Sequence, residues 1–157
     1  MSLTVAIPGG AGLELRHLVL DYNGTVALDG HLAEGVARRL EALGEKLETH
    51  VLTADTFGRA KIGLGDLKCR LVILEPGGED RKKAEYVDKL GAGSVVAIGN
   101  GRNDRLMLER AALAIAVLGP EGLSAEALSA ADILVADPIA ALELLLNPRR
   151  IAATLRS

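Results

Sequence analysis

Leu18-Val19-Leu20-Asp21-Tyr22-Asn23-Gly24-Thr25 decides how this chain is read. A short β-branched block that stops on a carboxylate and passes at once into an Asn-Gly turn is a buried strand delivering an acid to a loop. The pattern recurs along the chain. Apolar blocks at Leu18 to Leu20, His50 to Leu52, Leu71 to Leu74, Val95 to Ile98, Ala114 to Leu118 and Ile133 to Val135 are separated by stretches of helical period. Those stretches run at about Leu32 to Leu43, Thr56 to Ile62, Asp80 to Leu90, Asp104 to Ala112, Ser124 to Leu128 and Pro138 to Leu146. Gly44 and Gly91 stand just past two of them as stops, and Ser124 and Asp137-Pro138 stand as starts. Strand and helix in strict alternation predict a three-layer α/β/α, Rossmann-like fold with a mainly parallel central sheet.

Ahead of the first central strand, Leu3 to Ile7, the turn-rich Pro8-Gly9-Gly10-Ala11-Gly12 and Leu13 to Leu20 predict a hairpin. It reads most simply as an extra edge pair, and also offers an edge for self-association. No repeat or change of composition divides the chain, so 1–157 reads as one domain with 1–17 as its hairpin segment. Its 157 residues are 49% hydrophobic and 25% charged, enough apolar surface to exclude a disordered chain. Lys and Arg number 18 against 21 Asp and Glu, without a basic stripe, and aromatics are 2%, so neither phosphate-backbone attraction nor base stacking points to a nucleic-acid partner. The single cysteine, Cys69, reads as a small strand residue. With no signal-like start and no apolar run approaching ~20 residues, the expectation is a cytoplasmic protein without a membrane partner.

In an open parallel sheet the crevice beyond the strand C-termini takes the ligand, so polar residues directly after apolar strands carry the functional reading. Four groups qualify: Asp21 to Thr25; Thr53 with Asp55; Lys83, early in the helix after Pro76-Gly77-Gly78; and Gly99-Asn100-Gly101-Arg102-Asn103-Asp104. Each alone has a plain structural explanation as a turn cap, a helix start, a solvated lysine or a tight loop. In this order, all at strand ends, they suggest phosphoryl transfer. A carboxylate attacks phosphorus only if the charge of both is offset, which calls for a cation and a metal. Asp21 supplies the carboxylate, Asp104 a second hard oxygen for Mg²⁺, Lys83 the positive charge and Thr53 a hydroxyl donor. Gly24 and Thr25 would let backbone N–H groups turn towards the phosphate.

Asp-Tyr-Asn-Gly-Thr at 21–25, Leu-Thr-Ala-Asp at 52–55, Lys83 and Gly-Asn-Gly-Arg-Asn-Asp at 99–104 resemble the haloacid dehalogenase-like hydrolase superfamily. Within it the chain is similar to the soluble proteins related to the phosphorylation domain of P-type ATPases. The resemblance implies that Asp21 is the nucleophile forming an aspartyl-phosphate and a Mg²⁺ ligand. It implies that Asn23 holds the metal through its backbone carbonyl, and that Asn23, Gly24, Thr53 and Lys83 contact phosphate, with Lys82 the neighbouring alternative to Lys83. Asp104 and Asn100 would complete the metal shell.

Two departures bear on activity. Most phosphatases of the superfamily carry an acid two residues after the nucleophile, and here it is Asn23, which cannot transfer a proton. The metal loop opens on Asn100 where many relatives have Asp. A slow phosphatase with a persistent phosphoenzyme is expected, the alternative being an impaired, phosphate-binding or partner-regulating protein. Asp29, His31 and Asp55 are substitute proton carriers or loop and cap residues. Only 27 residues lie between Thr25 and Thr53, and 29 between Thr53 and Lys83, which leaves no room for a cap domain. The expected partner is a small phosphorylated substrate or a phosphoprotein, with a homo-oligomer as a further expectation.

Overall fold

Neighbouring residues of a strand face opposite sides of its sheet, and the strand β3 (His17–Asp21) is apolar on both. Leu18 and Leu20 join one core cluster, while Val19 joins the other, on the far side of the sheet. A strand buried on both faces must lie in the middle of a covered sheet. The computed structural model, which describes residues 1–55 and 57–157, places it there. β3 pairs in parallel with β6 (Glu48–Thr53) and with β8 (Val95–Gly99). Outside these lie β7 (Arg70–Ile73) on one side, and β9 (Leu113–Val117) then β10 (Ile133–Val135) on the other. All five pairings are parallel, in the order β10-β9-β8-β3-β6-β7.

The chain runs outward from β3 through β6 and β7, then returns to the other side of β3 for β8, β9 and β10. That reversal makes a switch point between β3 and β8, where a crevice opens beyond the strand C-termini. One face is covered by α1 (Val36–Leu43), α2 (Arg59–Leu64), α6 (Pro138–Leu146) and α7 (Pro148–Leu155). The other is covered by α3 (Glu79–Leu90), α4 (Arg105–Arg110) and α5 (Ala125–Ala130). The three-layer parallel architecture is as the sequence predicts.

Several features differ from the expectations. The N-terminal hairpin, β1 (Leu3–Val5) against β2 (Leu13–Leu15), forms its own two-stranded sheet and does not extend the central one. Its strand breaks from β3 at Arg16, whose N–H donates to the Ser94 carbonyl while its own carbonyl accepts from Glu48. Leu3, Val5 and Leu15 are buried in the same core as Ile151 of α7, so the hairpin's apolar face is covered by the chain itself. Helix α1 starts at Val36, not Leu32, because His31–Leu32 pairs with Ala27–Leu28 across an Asp29-Gly30 turn with both φ positive, 51° and 84°. That is the geometry an Asp-Gly hairpin turn requires. The predicted helix start at Thr56 lies outside the described residues, and α2 begins at Arg59. Cys69 precedes β7 instead of lying within a strand, and burial pushes its thiol pKa up, towards the inert form.

His50 of β6 is a polar group fully buried on the α3 face. Burial, opposed by Glu48, pushes its pKa down to about 4, so the ring is neutral. No helix among the described residues is long and apolar enough to cross a membrane.

Candidate active site

Asp21 is the last residue of β3, and its side chain alternates to the face that α3 covers. Only 8% exposed, it opens at the switch point into a cleft of about 770 Å³. The turn behind it is tightly hydrogen bonded, with the Tyr22 carbonyl accepting from the N–H groups of Thr25, Val26 and Ala27. Gly24 sits at φ 77°, where an L side chain is strained and a Cβ would run into the Glu121 carboxylate. The Gly24 N–H donates to the Ala27 carbonyl at 2.6 Å. The Gly24 and Thr25 amides are both engaged inside the turn, because closing so short a loop draws on its own donors.

Asp21 Oδ1 accepts from Lys83 Nζ at 2.7 Å, and the same ammonium donates to Asp104 Oδ1 at 2.7 Å. Lys83 is 1% exposed and Asp104 wholly buried, so one cation is clamped between two carboxylates out of water. Two left-handed glycines, Gly77 and Gly78, turn the chain from β7 into α3, whose inward face carries Lys83, Ala84 and Val87. Lys82 bonds the Glu75 carbonyl at the surface, which separates it from its neighbour. The remaining Asp104 oxygen accepts from the backbone N–H groups of Asn100 at 3.0 Å and Gly101 at 2.9 Å. Asp104 thereby ties the 99–104 loop to itself, and a Cβ at Gly99 would strike its carboxylate.

The pair titrates asymmetrically for a simple reason. Burial pulls the Lys83 ammonium down, but two anions beside it outweigh that and hold its pKa above the ordinary range. Asp21 is raised to about 6, by burial first and by the Asp104 charge second, against the pull of Lys83 and the hydrogen bonds from Lys83 and Thr25. One lysine cannot satisfy two buried carboxylates. A hydroxyl has one proton, yet Thr25 Oγ1 lies 3.0 Å from both Asp21 Oδ2 and Asn100 Oδ1. Asn100 turns that oxygen inward as its amide nitrogen donates to the Gly122 carbonyl. Surplus negative charge and two oxygen acceptors sharing one proton fit a hard divalent cation held by oxygen.

Thr53 ends β6 on the cleft wall, and its hydroxyl oxygen accepts the Asp55 N–H at 3.2 Å, which leaves its proton to donate. Asn23 is exposed on the rim. Of the three substitute proton carriers, only Asp55 lines the cleft. Both its oxygens accept backbone N–H groups, from Ala60 at 2.6 Å and Phe57 at 3.0 Å, and those bonds hold its pKa below the usual range. Asp29 and His31 lie exposed in the β4–β5 hairpin, β4 being Ala27–Leu28 and β5 His31–Leu32.

The structure also gives side-chain roles that the sequence reading does not assign. Thr25 bridges the nucleophile strand to the loop after β8. Glu79 and Asn103, hydrogen bonded to each other at 3.1 Å, close one side of the cleft. Glu121 enters from the loop after β9, with no hydrogen-bond partner for its carboxylate among the described residues. Nothing in a lone surface-loop glutamate marks it in sequence.

No family model matches the chain. Among curated proteins it is 48% identical over 62 residues to the uncharacterized protein MJ0073 of Methanocaldococcus jannaschii, a match covering 40% of this chain and 67% of that one. It is 51% identical over 39 residues to MJ0072 of the same organism, covering 25% and 89%. The chain belongs to one family with these two archaeal proteins. Among solved structures, 3-deoxy-D-manno-octulosonate 8-phosphate phosphatase from Moraxella catarrhalis, solved with magnesium ion, phosphate ion and KDO, superposes with a TM-score of 0.69. The identity is 14%, over 88% of this chain and 92% of that one. The cobalt-bound deoxy-D-mannose-octulosonate 8-phosphate phosphatase from Haemophilus influenzae gives 0.66 at 12% identity, over 91% and 94%. A structure described as a HAD family hydrolase, from Streptomyces avermitilis, superposes with a TM-score of 0.69 at 18% identity, over 86% of this chain and 87% of that one, and the fold is that of the haloacid dehalogenase-like hydrolases.

Proposed function

We propose that the chain is a Mg²⁺-dependent phosphohydrolase in which Asp21 is the nucleophile, and that turnover is slow. The observation that carries this reading is the buried Asp21–Lys83–Asp104 arrangement at the sheet's switch point, with Thr25 and Asn100 beside it. A carboxylate held at a strand end, opposite a hydroxyl donor and a cation, is poised to attack phosphorus. An Asp21 oxygen forms the bond to phosphorus as the ester oxygen leaves; water then breaks the aspartyl-phosphate, returning the carboxylate and releasing phosphate. Lys83 and the Thr53 hydroxyl hold phosphoryl oxygens during both steps.

Asp21, the Asn23 carbonyl, Asn100 and Asp104 would hold Mg²⁺, Asp104 after sharing an oxygen now engaged by Lys83 or the loop amides. When bound, the ion neutralises phosphoryl oxygens and screens Asp21 from its substrate. Asn23 supplies no proton to the leaving group, which accounts for slow turnover and supports a relationship to the P-type ATPase phosphorylation domain, where the phosphoenzyme persists. Glu121, whose carboxylate is free in the cleft, is the group placed to move that proton instead. The reading is of one capless domain over 1–157 in the cytosol, acting on a small phosphorylated substrate or a phosphoprotein, with a second copy of the chain as a further shield for an open cleft.

Mg²⁺-dependent phosphate release from nitrophenyl phosphate tests this. Release by the native chain that disappears in Asp21→Asn supports the proposal. Phosphate binding without release, equal in both proteins, would instead favour a phosphate-binding or partner-regulating role, the reading that Asn23 favours.

A further inference from the structure

β3 and β6 carry chemistry at both ends. Their last residues are Asp21 and Thr53, whereas their first residues bring His17, Glu48 and His50 together at the opposite edge of the sheet. His17 and Glu48 are direct partners in the β3–β6 register, and His50, two residues on, alternates back to the same face. His17 Nδ1 lies 3.2 Å from His50 Nε2 and 3.6 Å from Glu48 Oε2, and His50 Nε2 lies 3.8 Å from Glu48 Oε1. We propose that these three residues bind a first-row transition-metal ion of the zinc class, at a site separate from the oxygen-lined cleft.

The geometry suits such an ion. One ligand atom from each residue, the carboxylate giving a single oxygen, lies within 4.8 Å of the other two, so a small rotation of the half-exposed Glu48 side chain brings all three to zinc–nitrogen and zinc–oxygen bond lengths of ~2.0 Å about a common centre. Without an ion, two ring nitrogens face each other and one must carry a proton; an ion uses both lone pairs. The His50 ring is held by its other nitrogen, which lies 2.8 Å from the Tyr86 hydroxyl of α3. When Nδ1–H donates there, Nε2 keeps its lone pair towards His17 and Glu48, the outer-shell device that sets the tautomer of a metal-ligating histidine.

His50 is fully buried and the Glu48 side chain 46% exposed, so the site has a rigid floor and an open side for a fourth ligand such as water. Arg70, 3.4 Å from Glu48 Oε1, is itself exposed and free to swing aside. Two imidazoles and one carboxylate select against Mg²⁺, which the Asp21 cleft would prefer. Four residue-to-residue steps of strand, at ~3.3 Å each, lead from His17 to Asp21, so the sites are ~13 Å apart along β3.

The test is a Zn²⁺ titration against a chromophoric chelator, in excess Mg²⁺, of the native chain, Glu48→Gln, His17→Gln and Asp21→Asn, each checked for folding by circular dichroism. His50 is left intact because its burial makes folding sensitive to it. The expected result is one equivalent bound by the native chain, with binding weakened about 10-fold or more in Glu48→Gln and about 100-fold or more in His17→Gln, since losing a direct ligand costs at least what losing an outer-shell partner does. Asp21→Asn keeps native affinity. With Co²⁺ as probe, the visible band of a four-coordinate ion appears in the native chain and Asp21→Asn and is lost in His17→Gln. No stoichiometric binding, equal binding in His17→Gln and the native chain, or loss confined to Asp21→Asn would each overturn the proposal. The last would place zinc in the cleft. None of these outcomes depends on whether the cleft hydrolyses phosphate esters.

Discussion

Replacing Asp21 with asparagine should make the metal-free protein more stable at neutral pH, although it removes a hydrogen-bonded ion pair. The reason is the crowding of two buried carboxylates around one ammonium. Asp21 titrates near 6 in the folded chain against an ordinary 3.8, chiefly through burial and the Asp104 charge. It therefore binds its proton more tightly folded than unfolded, so its contribution to stability falls as pH rises through the interval between those values. At ~1.4 kcal/mol per pH unit, the two-unit gap corresponds to ~3 kcal/mol lost once Asp21 is ionised. Asparagine keeps the shape of the protonated acid, leaves Lys83 paired with Asp104, and adds a donor where Thr25 and Asn100 leave acceptors in excess. For a chain of this length ~3 kcal/mol corresponds to a rise in Tm of about 6–12 °C, an upper value because water entering the cleft screens the charges. Differential scanning calorimetry with chelator should find the rise at pH 7.5 and find it largely gone at pH 4, where native Asp21 is protonated. A lower Tm for the variant at pH 7.5, or the same difference at both pH values, would refute the reasoning.

Mg²⁺ should raise the Tm of the native chain by calorimetry and leave that of Asp21→Asn nearly unchanged, since the ionised Asp21 is the charge it relieves. Lys83→Met should lower stability by about 3–5 kcal/mol in chemical denaturation, because two buried carboxylates lose their cation. In the Asp21→Asn background the loss should be smaller, and equal losses in both backgrounds would dismiss the coupling. Asn23→Asp should raise turnover of an alkyl phosphate up to about 100-fold, with less gain on nitrophenyl phosphate, whose leaving group needs no proton. Glu121→Gln should cut turnover of an alkyl phosphate by about 10-fold or more in steady-state assays while leaving phosphate affinity unchanged; unaltered turnover removes Glu121 from the reaction.

Alternation of apolar blocks with helical-period stretches was sufficient to place all six central strands and the helices over 79–90 and 138–146, because both signals are local. The Asp29-Gly30 turn was present in the sequence too, but its two-residue strands are too short to register against the helical pattern that follows. Helix α7 carries no long apolar stripe, and Ile151 is the residue it buries fully, within the same core as the N-terminal hairpin, so its place depends on packing that spans nearly the whole chain. Lys83 was distinguishable from Lys82 only by pattern, and the fold separates them by sending one inward and the other to the Glu75 carbonyl.

By itself the sequence determined that Asp21, Thr53, Lys83 and the 99–104 loop follow apolar strands, since strand ends are written in the apolar pattern. Which of those residues share a proton or a charge was decided only by tertiary structure. Lys83 is clamped between Asp21 and Asp104, Thr25 faces both Asp21 and Asn100, Gly24 and Thr25 spend their amides on their own turn, and Glu121 arrives from a loop about a hundred residues away. His17 and His50, 33 positions apart, meet because β3 pairs with β6 in one particular register. Periodicity reports the face a residue takes on its own strand, whereas the partner across the sheet depends on register, and register is set by how two whole strands bury their apolar sides together.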